Sequence, residues 1–253
     1  MTLPCWTYLV LFAAGLLAGL IDAMAGGGGL ISLPVLLWVG VPPKIALGTN
    51  KLQSSCGTAL AAWRYGRAGL LRWRDLRLGL CITFLSAMAG AMTVTRLESD
   101  ILRQIIPPIL VGLAVWFWLQ PRLGLNRQTA RMRPMVFAIL FGGVLGFYDG
   151  FFGPGTGSFW MLAYLFLLGL DLREATGHTK AMNLASNLAS LAVFVASGSV
   201  RYDIGVVMIV GQLIGARLGS GLVITHGARF IRPIFLAVVV TLAARLLWEN
   251  LAR

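Results

Sequence analysis

Two stretches of this chain place an acid and a run of glycines inside apolar sequence. The first is Gly19-Leu20-Ile21-Asp22-Ala23-Met24-Ala25-Gly26-Gly27-Gly28-Gly29. The second is Gly146-Phe147-Tyr148-Asp149-Gly150-Phe151-Phe152-Gly153-Pro154-Gly155-Thr156-Gly157. In both, the glycine break follows the acid by one helical turn. Each glycine weakens a helix by about 1 kcal/mol against alanine, and an unpaired charge in hydrocarbon costs more. A chain that carries both features twice is expected to use them.

The surroundings are lipid-like. Of 253 residues, 58% are hydrophobic and 12% charged, and mean hydropathy is +0.81. That balance suits a membrane domain. The whole chain, 1–253, reads as one such domain, because no polar region is large enough for a soluble one. The segment Met1 to Tyr8 lacks a basic leader and no small-residue cleavage site closes the first run, so that run is expected to be retained. The net charge of +12 belongs to arginines in short connections, as cytoplasmic loops of membrane proteins require, and not to a nucleic-acid surface. Cys5, Cys56 and Cys81 have no metal or disulfide spacing and read as free thiols.

The apolar runs are Trp6–Ala25, Leu30–Val41, a more polar segment from Gly48 to Trp63, Leu78–Thr95, and Ile105–Leu119, in which Pro107-Pro108 predicts a kink or a helix start. A second set follows: Met135–Tyr148, Phe159–Leu170, Ala181–Val200, Ile204–Ile224 and Phe230–Trp248. Asp149, Gly153 and Gly155 follow Asp22, Gly26 and Gly28 at one constant offset. Lys180, Gly219 and Arg232 follow Lys51, Gly90 and Arg103 at an offset two residues longer, placing an insertion near Leu167 to Asp171. Ordered matches of this kind argue for internal duplication: a repeat over 1–120, a basic linker over 121–134, and a repeat over 135–253.

Placing the arginine-rich connections 64–77 and 121–134 inside puts both termini outside. Lys44, Arg96, Arg201 and Arg253 then lie outside, against the trend. Two spans separate the basic connections, so the repeats are antiparallel. The expected fold class is an all-α polytopic membrane protein of two inverted-topology repeats, each of about five helical segments, some short, broken or re-entrant. Leu30–Val41 would be about 18 Å long as a helix, short for a hydrocarbon core of ~30 Å. It is either a thin or tilted span, or half of a re-entrant hairpin.

The candidate binding residues follow from these breaks. Gly26, Gly27, Gly28 and Gly29, with Gly153, Gly155, Thr156, Gly157 and Ser158, would offer backbone N–H groups and hydroxyls at helix starts, where the helix dipole favours an anion. Close helix packing through small residues is the other reading. Asp22 and Asp149 would either couple or gate by taking a proton, or cap the glycine break. Lys51 and Lys180 follow Thr49-Asn50 and His178-Thr179 near the expected first turn of a long segment, where they would cap, snorkel or neutralise an anion. Asn183 and Asn187 share one helix face, within a polar stripe holding Ser186 and Ser190; Gln53, Ser54, Ser55 and Thr58 form its counterpart. His178 and His226 are lone histidines, relay or interfacial. Arg217 interrupts an apolar run and needs a partner or an interface. No P-loop, zinc-protease or serine-hydrolase motif occurs, and no catalytic residue, metal or cofactor is expected.

The stretch from Gly19 to Gly29, then Pro34, then Gly48-Thr49-Asn50-Lys51, resembles the TauE/SafE family of sulfite or sulfur-anion exporters. Gly146 to Ser158, Thr176 to Asn183 and Gly211 to Arg217 are similar to its YfcA-like branch. The resemblance covers nearly the whole chain. It implies a secondary transporter of the bacterial inner membrane that exports sulfite, organosulfonates or a related small anion, with proton coupling as one option. The expected partners are that anion, membrane lipid and, as an open option, a second copy in a homodimer; nucleic acid is not expected. A passive anion facilitator and an intramembrane enzyme using Asp22, Asp149 and His178 are the alternatives.

Overall fold

The computed structural model describes residues 4–119 and 129–226. The expected last run, Phe230–Trp248, and most of the basic linker lie outside them. The described residues form nine helices and no strand: α1 Cys5–Ala25, α2 Gly29–Trp38, α3 Pro43–Arg67, α4 Trp73–Arg96, α5 Ser99–Leu119, α6 Pro134–Phe151, α7 Thr156–Leu167, α8 Leu172–Ala196 and α9 Tyr202–His226. Trp6–Ala25, Trp73–Arg96, Pro134–Phe151 and Tyr202–Thr225 are long and apolar enough to cross a membrane.

Three helix starts differ from the sequence reading. α3 begins at Pro43, behind Pro42, because proline at a first helical position is pre-set for the helix. α8 begins at Leu172, where the Asp171 side chain caps the Glu174 N–H at 2.9 Å. Lys51 and Lys180 therefore lie about two turns inside their helices and are buried, not in a first turn or snorkelling to an interface. α5 begins at Ser99 and runs through Pro107 and Pro108, so those prolines do not start it.

The helices connect two ends of a bundle. At the basic end, the α3–α4 connection, the segment before α6 and the α7–α8 connection meet, with the Arg131 N–H donating to the Leu167 carbonyl at 2.8 Å. At the opposite end, Lys44 on α3 reaches the Thr95 carbonyl of α4, and the Arg201 N–H before α9 reaches Thr49. α2 returns toward the end where α1 began, since the Trp6 and Trp38 rings lie 6.0 Å apart. α7 returns toward the start of α6, since Phe137 and Tyr164 lie 4.9 Å apart. Exposed tryptophans mark both levels, Trp6 and Trp38 at one and Trp63 and Trp73 at the other, as aromatic belts do.

Small residues set the close approaches. α1 and α9 run parallel, with Gly19 against Gln212 and Gly219 against the Leu20 carbonyl. α4 and α6 do the same, with Gly146 against Thr83 and Gly90 against the Phe147 carbonyl. α3 and α8 cross the centre antiparallel: Gly48 meets Ser199, and Gly177 meets Leu70. One apolar cluster, around Leu11, Leu33, Val94 and Phe194, fills the opposite end. Another, around Tyr65, Phe137, Trp160 and Met182, fills the basic end. The polar residues of α3 and α8 lie in the layer between.

A Cβ at Gly150 would collide with the Ala87 backbone, whereas one at Gly143 meets nothing within 4 Å. Gly150→Ala is expected to lower stability in detergent by about 1–3 kcal/mol through overpacking. Gly143→Ala should be neutral or gain up to about 1 kcal/mol from helix propensity. Thermal unfolding of the two variants side by side checks this.

Candidate functional site: two crossed ion pairs at a glycine-lined cavity

The polar layer is built on four buried charges. Asp22 stands near the end of α1 and Asp149 near the end of α6, each just before its glycine break. Lys51 lies on α3 and Lys180 on α8. Lys51 Nζ is 2.8 Å from Asp149 Oδ1, and Lys180 Nζ is 3.2 Å from Asp22 Oδ2. Each pair joins a lysine from one half of the chain to an acid from the other. Relative exposures are 2% and 4% for Lys51 and Asp149, and 0% and 8% for Lys180 and Asp22. Burial at that depth makes an unpaired charge untenable.

The two pairs are not equivalent. Lys51 also donates to Asn187 Oδ1 at 3.1 Å, and Ser186 donates to Asp149 Oδ2. Asp149 thus has both carboxylate oxygens engaged. Asp22 accepts the Gly27 N–H at 3.3 Å, and so partly caps its own break. Lys180 Nζ makes the ion pair without a well-directed hydrogen bond, and has no hydrogen-bond partner among the described residues. One pair is saturated; the other keeps spare donors.

The glycines are there for space and backbone shape. Gly153 has φ +98°, and a Cβ on it would come within 2.9 Å of Lys51 Nζ and 3.0 Å of Asp149 Oδ1. Gly26, at φ +70°, lies directly against Gly157, so the two breaks touch. Ser158 ties them further by donating to the carbonyls of Ala25 and Gly26. The helices that follow, α2 and α7, start at Gly28 and Gly155 with no side-chain cap. In their first turns the Leu30 and Ile31 N–H groups donate to the Gly27 and Gly28 carbonyls, and the Thr156 and Ser158 N–H groups to the Gly153 and Gly155 carbonyls; the glycines of both starts border the same point.

That point is a small cavity of about 20 Å³, lined by Asp22, Gly27, Gly28, Gly29, Asn50, Lys51, Ser54, Asp149, Gly153, Gly155, Thr156, Gly157, Asn183 and Asn187. It is room for about one water. Most of the residues singled out from the sequence meet here. Gly26 and Ser158 sit behind the lining as packing and staple. Thr49 faces away, accepting the Arg201 N–H at 3.0 Å. Thr179 and Lys180 are buried beside the cavity without lining it, and His178 faces a separate cleft at the basic end. Asn50 Oδ1 is held by Ser32 at 2.5 Å and Gln53 at 3.0 Å.

Two contributors were not assigned to the site from sequence: Ser54, in the lining, and Ser186, on Asp149. Both lie in the polar stripes noted above; Ser186 is three residues after Asn183, a spacing that shares a helix face and could have flagged it. Arg217 stays outside the site. Its side chain is exposed on α9, while its carbonyl accepts from Arg64. No group of three or more metal-ligating side chains occurs among the described residues.

Removing one partner of a buried pair leaves a bare charge and costs about 3–5 kcal/mol. Lys51→Ala is expected to destabilise by that order, and Lys51→Ala/Asp149→Ala by clearly less than the sum of the single changes. A double-mutant cycle on unfolding in detergent measures this coupling.

The profile of the Sulfite exporter TauE/SafE family matches residues 11–246. The chain is 42% identical over 241 residues to the probable membrane transporter protein YfcA of Escherichia coli strain K12, covering 95% of this chain and 90% of that protein. It is 40% identical over 237 residues to the probable membrane transporter protein ORF9 of a Sinorhizobium species, covering 94% and 91%. A more distant relative, the probable membrane transporter protein YjnA of Bacillus subtilis, is 22% identical over 249 residues, covering 92% and 97%. No solved structure matches this chain significantly. With its apolar spans, its buried polar layer and these relatives, the chain is a multi-pass membrane protein of the TauE/SafE family.

Proposed function

We propose that this protein is a secondary transporter that moves a small anion, such as sulfite or an organosulfonate, through the cavity between the two glycine breaks. The observation that carries the reading is the pair of crossed lysine–aspartate contacts beside two uncapped helix starts. Helix N-termini and lysines favour an anion, and the acids hold the lysines neutralised while no anion is present. Gly27, Gly28, Gly29, Gly153, Gly155, Gly157 and Thr156 would supply the contacts, with Asn50, Asn183 and Asn187 around them. The cavity now admits about one water, so the arrangement corresponds to an occluded state that must widen to accept the anion.

The architecture belongs to the same proposal: two inverted repeats, spanning 1–120 and 135–253, that rock against one another. Four facts support it. Gly19 on Gln212 is matched by Gly146 on Thr83. Gly219 on Leu20 is matched by Gly90 on Phe147. α2 and α7 return to opposite ends of the bundle. α7 is two residues longer than α2, in keeping with the two-residue difference between the offsets near Leu167 to Asp171. Repeats of this kind with sites at broken helices near the midplane suit alternating access. Placing the basic end in the cytoplasm of a bacterial inner membrane follows the positive-inside rule.

An aspartate that must release its lysine to the anion is best neutralised by a proton, and coupling follows from that. An enzyme reading has less support, because hydrolysis or transfer has no use for one acid–lysine pair reproduced in the other half. In proteoliposomes, sulfite flux is expected to depend on an imposed pH gradient and to fall at least tenfold in both Asp22→Asn and Asp149→Asn, with normal insertion. Gradient-independent flux kept in both variants would replace the coupled transporter with a passive facilitator.

A further inference from the structure

Seven buried side-chain polar atoms lack a hydrogen-bond partner among the described residues. Five of them lie on α7 and α8: Trp160 Nε1, Tyr164 Oη, Thr179 Oγ1, Lys180 Nζ and Asn183 Oδ1. Trp160 and Tyr164 are one turn apart on α7, with their rings stacked at 5.6 Å. Thr179 and Asn183 are one turn apart on α8. Buried polar groups are almost always paired with protein or water, and five such atoms on one pair of neighbouring helices, against Gln53 Oε1 and Gln212 Oε1 elsewhere, point to where water or a ligand passes.

The seam has a mouth and a destination. At the basic end it meets a cleft of about 490 Å³, whose lining includes Arg72, Asp75, Tyr164, Leu168, Glu174 and His178. His178 Nδ1 lies 2.7 Å from the Glu174 carbonyl, an acceptor only, so Nδ1 carries the hydrogen and Nε2 presents a lone pair. The Tyr164 and His178 rings are 5.5 Å apart and form the floor of the cleft. At its other end the seam reaches Gly157 and Asn183 in the central cavity. Seven residues of helix, about 10 Å at 1.5 Å per residue, separate Tyr164 from Gly157.

Among the described residues, the corresponding helices α2 and α3 carry one such atom, Gln53 Oε1. By the offset relating Gly155 to Gly28, Trp160 and Tyr164 correspond to Leu33 and Leu37. Asn50 and Lys51, matching Thr179 and Lys180, have hydrogen-bond partners. A cleft of about 370 Å³ lies at that end too, lined by Leu37, Val41, Pro42, Leu102, Arg103 and Ile106, but none of its lining residues carries an unpartnered buried polar atom.

We propose that the basic-end cleft is the vestibule of the transport site, and that the α7–α8 seam past Tyr164 and His178 is the hydrated route by which a small anion reaches Lys180. This rests on the transport reading above. Arg72 beside the mouth attracts the anion, Asp75 and Glu174 temper that attraction, and beyond His178 the next acid is Asp22, already facing Lys180.

The test is side-specific labelling with a membrane-impermeant charged maleimide, in a background with Cys5, Cys56 and Cys81 replaced by serine. Thr179→Cys and, as a second position, His178→Cys are expected to react at least tenfold faster in vesicles presenting the basic end than in the reverse orientation. Equal rates, or faster labelling from the other side, overturn the route. Tyr164→Phe provides the independent readout. Loss of an unpartnered hydroxyl should leave the melting temperature unchanged or higher while sulfite flux falls severalfold. A lower melting temperature with unchanged flux would make the hydroxyl structural and end the proposal. Labelling needs no transported substrate, so its failure is separable from a failure of the anion assignment.

Discussion

The structure depends on how four charges are kept inside an apolar bundle. Lys51, Lys180, Asp22 and Asp149 sit at 8% exposure or less, and none could stay there alone. Each is neutralised by a residue from the other half of the chain. The pairing therefore fixes how the halves meet: α3 must carry Lys51 to the break after α6, and α8 must carry Lys180 to the break after α1. The glycines follow from the same requirement. Only a glycine at φ +98° leaves room for Lys51 Nζ beside position 153, and only glycines at 26 and 157 let the breaks touch. Apolar clusters pack on either side of this layer.

Much of this was legible in the sequence because the membrane leaves few options. Long apolar runs had to be helices, and the acid-plus-glycine breaks stood out as costs no lipid-facing helix would carry. The recurring offsets marked Asp22 with Asp149 and Lys51 with Lys180 as corresponding residues. They did not reveal that each lysine crosses to the other half's acid, since a periodicity relates like to like and contacts here are between unlike partners. The helix starts were misjudged for a related reason. The polar first turns of α3 and α8 read as connections, when Pro43 and the Asp171 cap carry the helix through them. His178 and Thr49 occupy matching positions beside their lysines, yet one faces a cleft and the other a backbone N–H. That divergence comes from packing, which sequence spacing cannot express.

The inequality of the two pairs is informative. Asp149 is held by Lys51 and Ser186 together, and Ser186 has no hydroxyl counterpart in the first half, where the matching position is Gly57. Lys180 faces Asp22 with donors to spare. Asn50, next to Lys51, is tied to Ser32 of α2, whereas Thr179, next to Lys180, has a hydroxyl without a hydrogen-bond partner among the described residues. Under the proposed route, that inequality makes the α7–α8 side the one expected to open.

Charge balance links this geometry to coupling under the proposed reading. Two lysines and two ionised aspartates sum to zero, the cheapest state for a buried cluster. An incoming monovalent anion makes the site net negative in a low-dielectric layer, where each uncompensated charge costs several kcal/mol. Taking one proton onto the aspartate that the anion displaces returns the sum to zero. Under that reading, one anion moving with one proton would leave the cluster neutral both empty and loaded, and so would let it face either side of the membrane without a charge penalty.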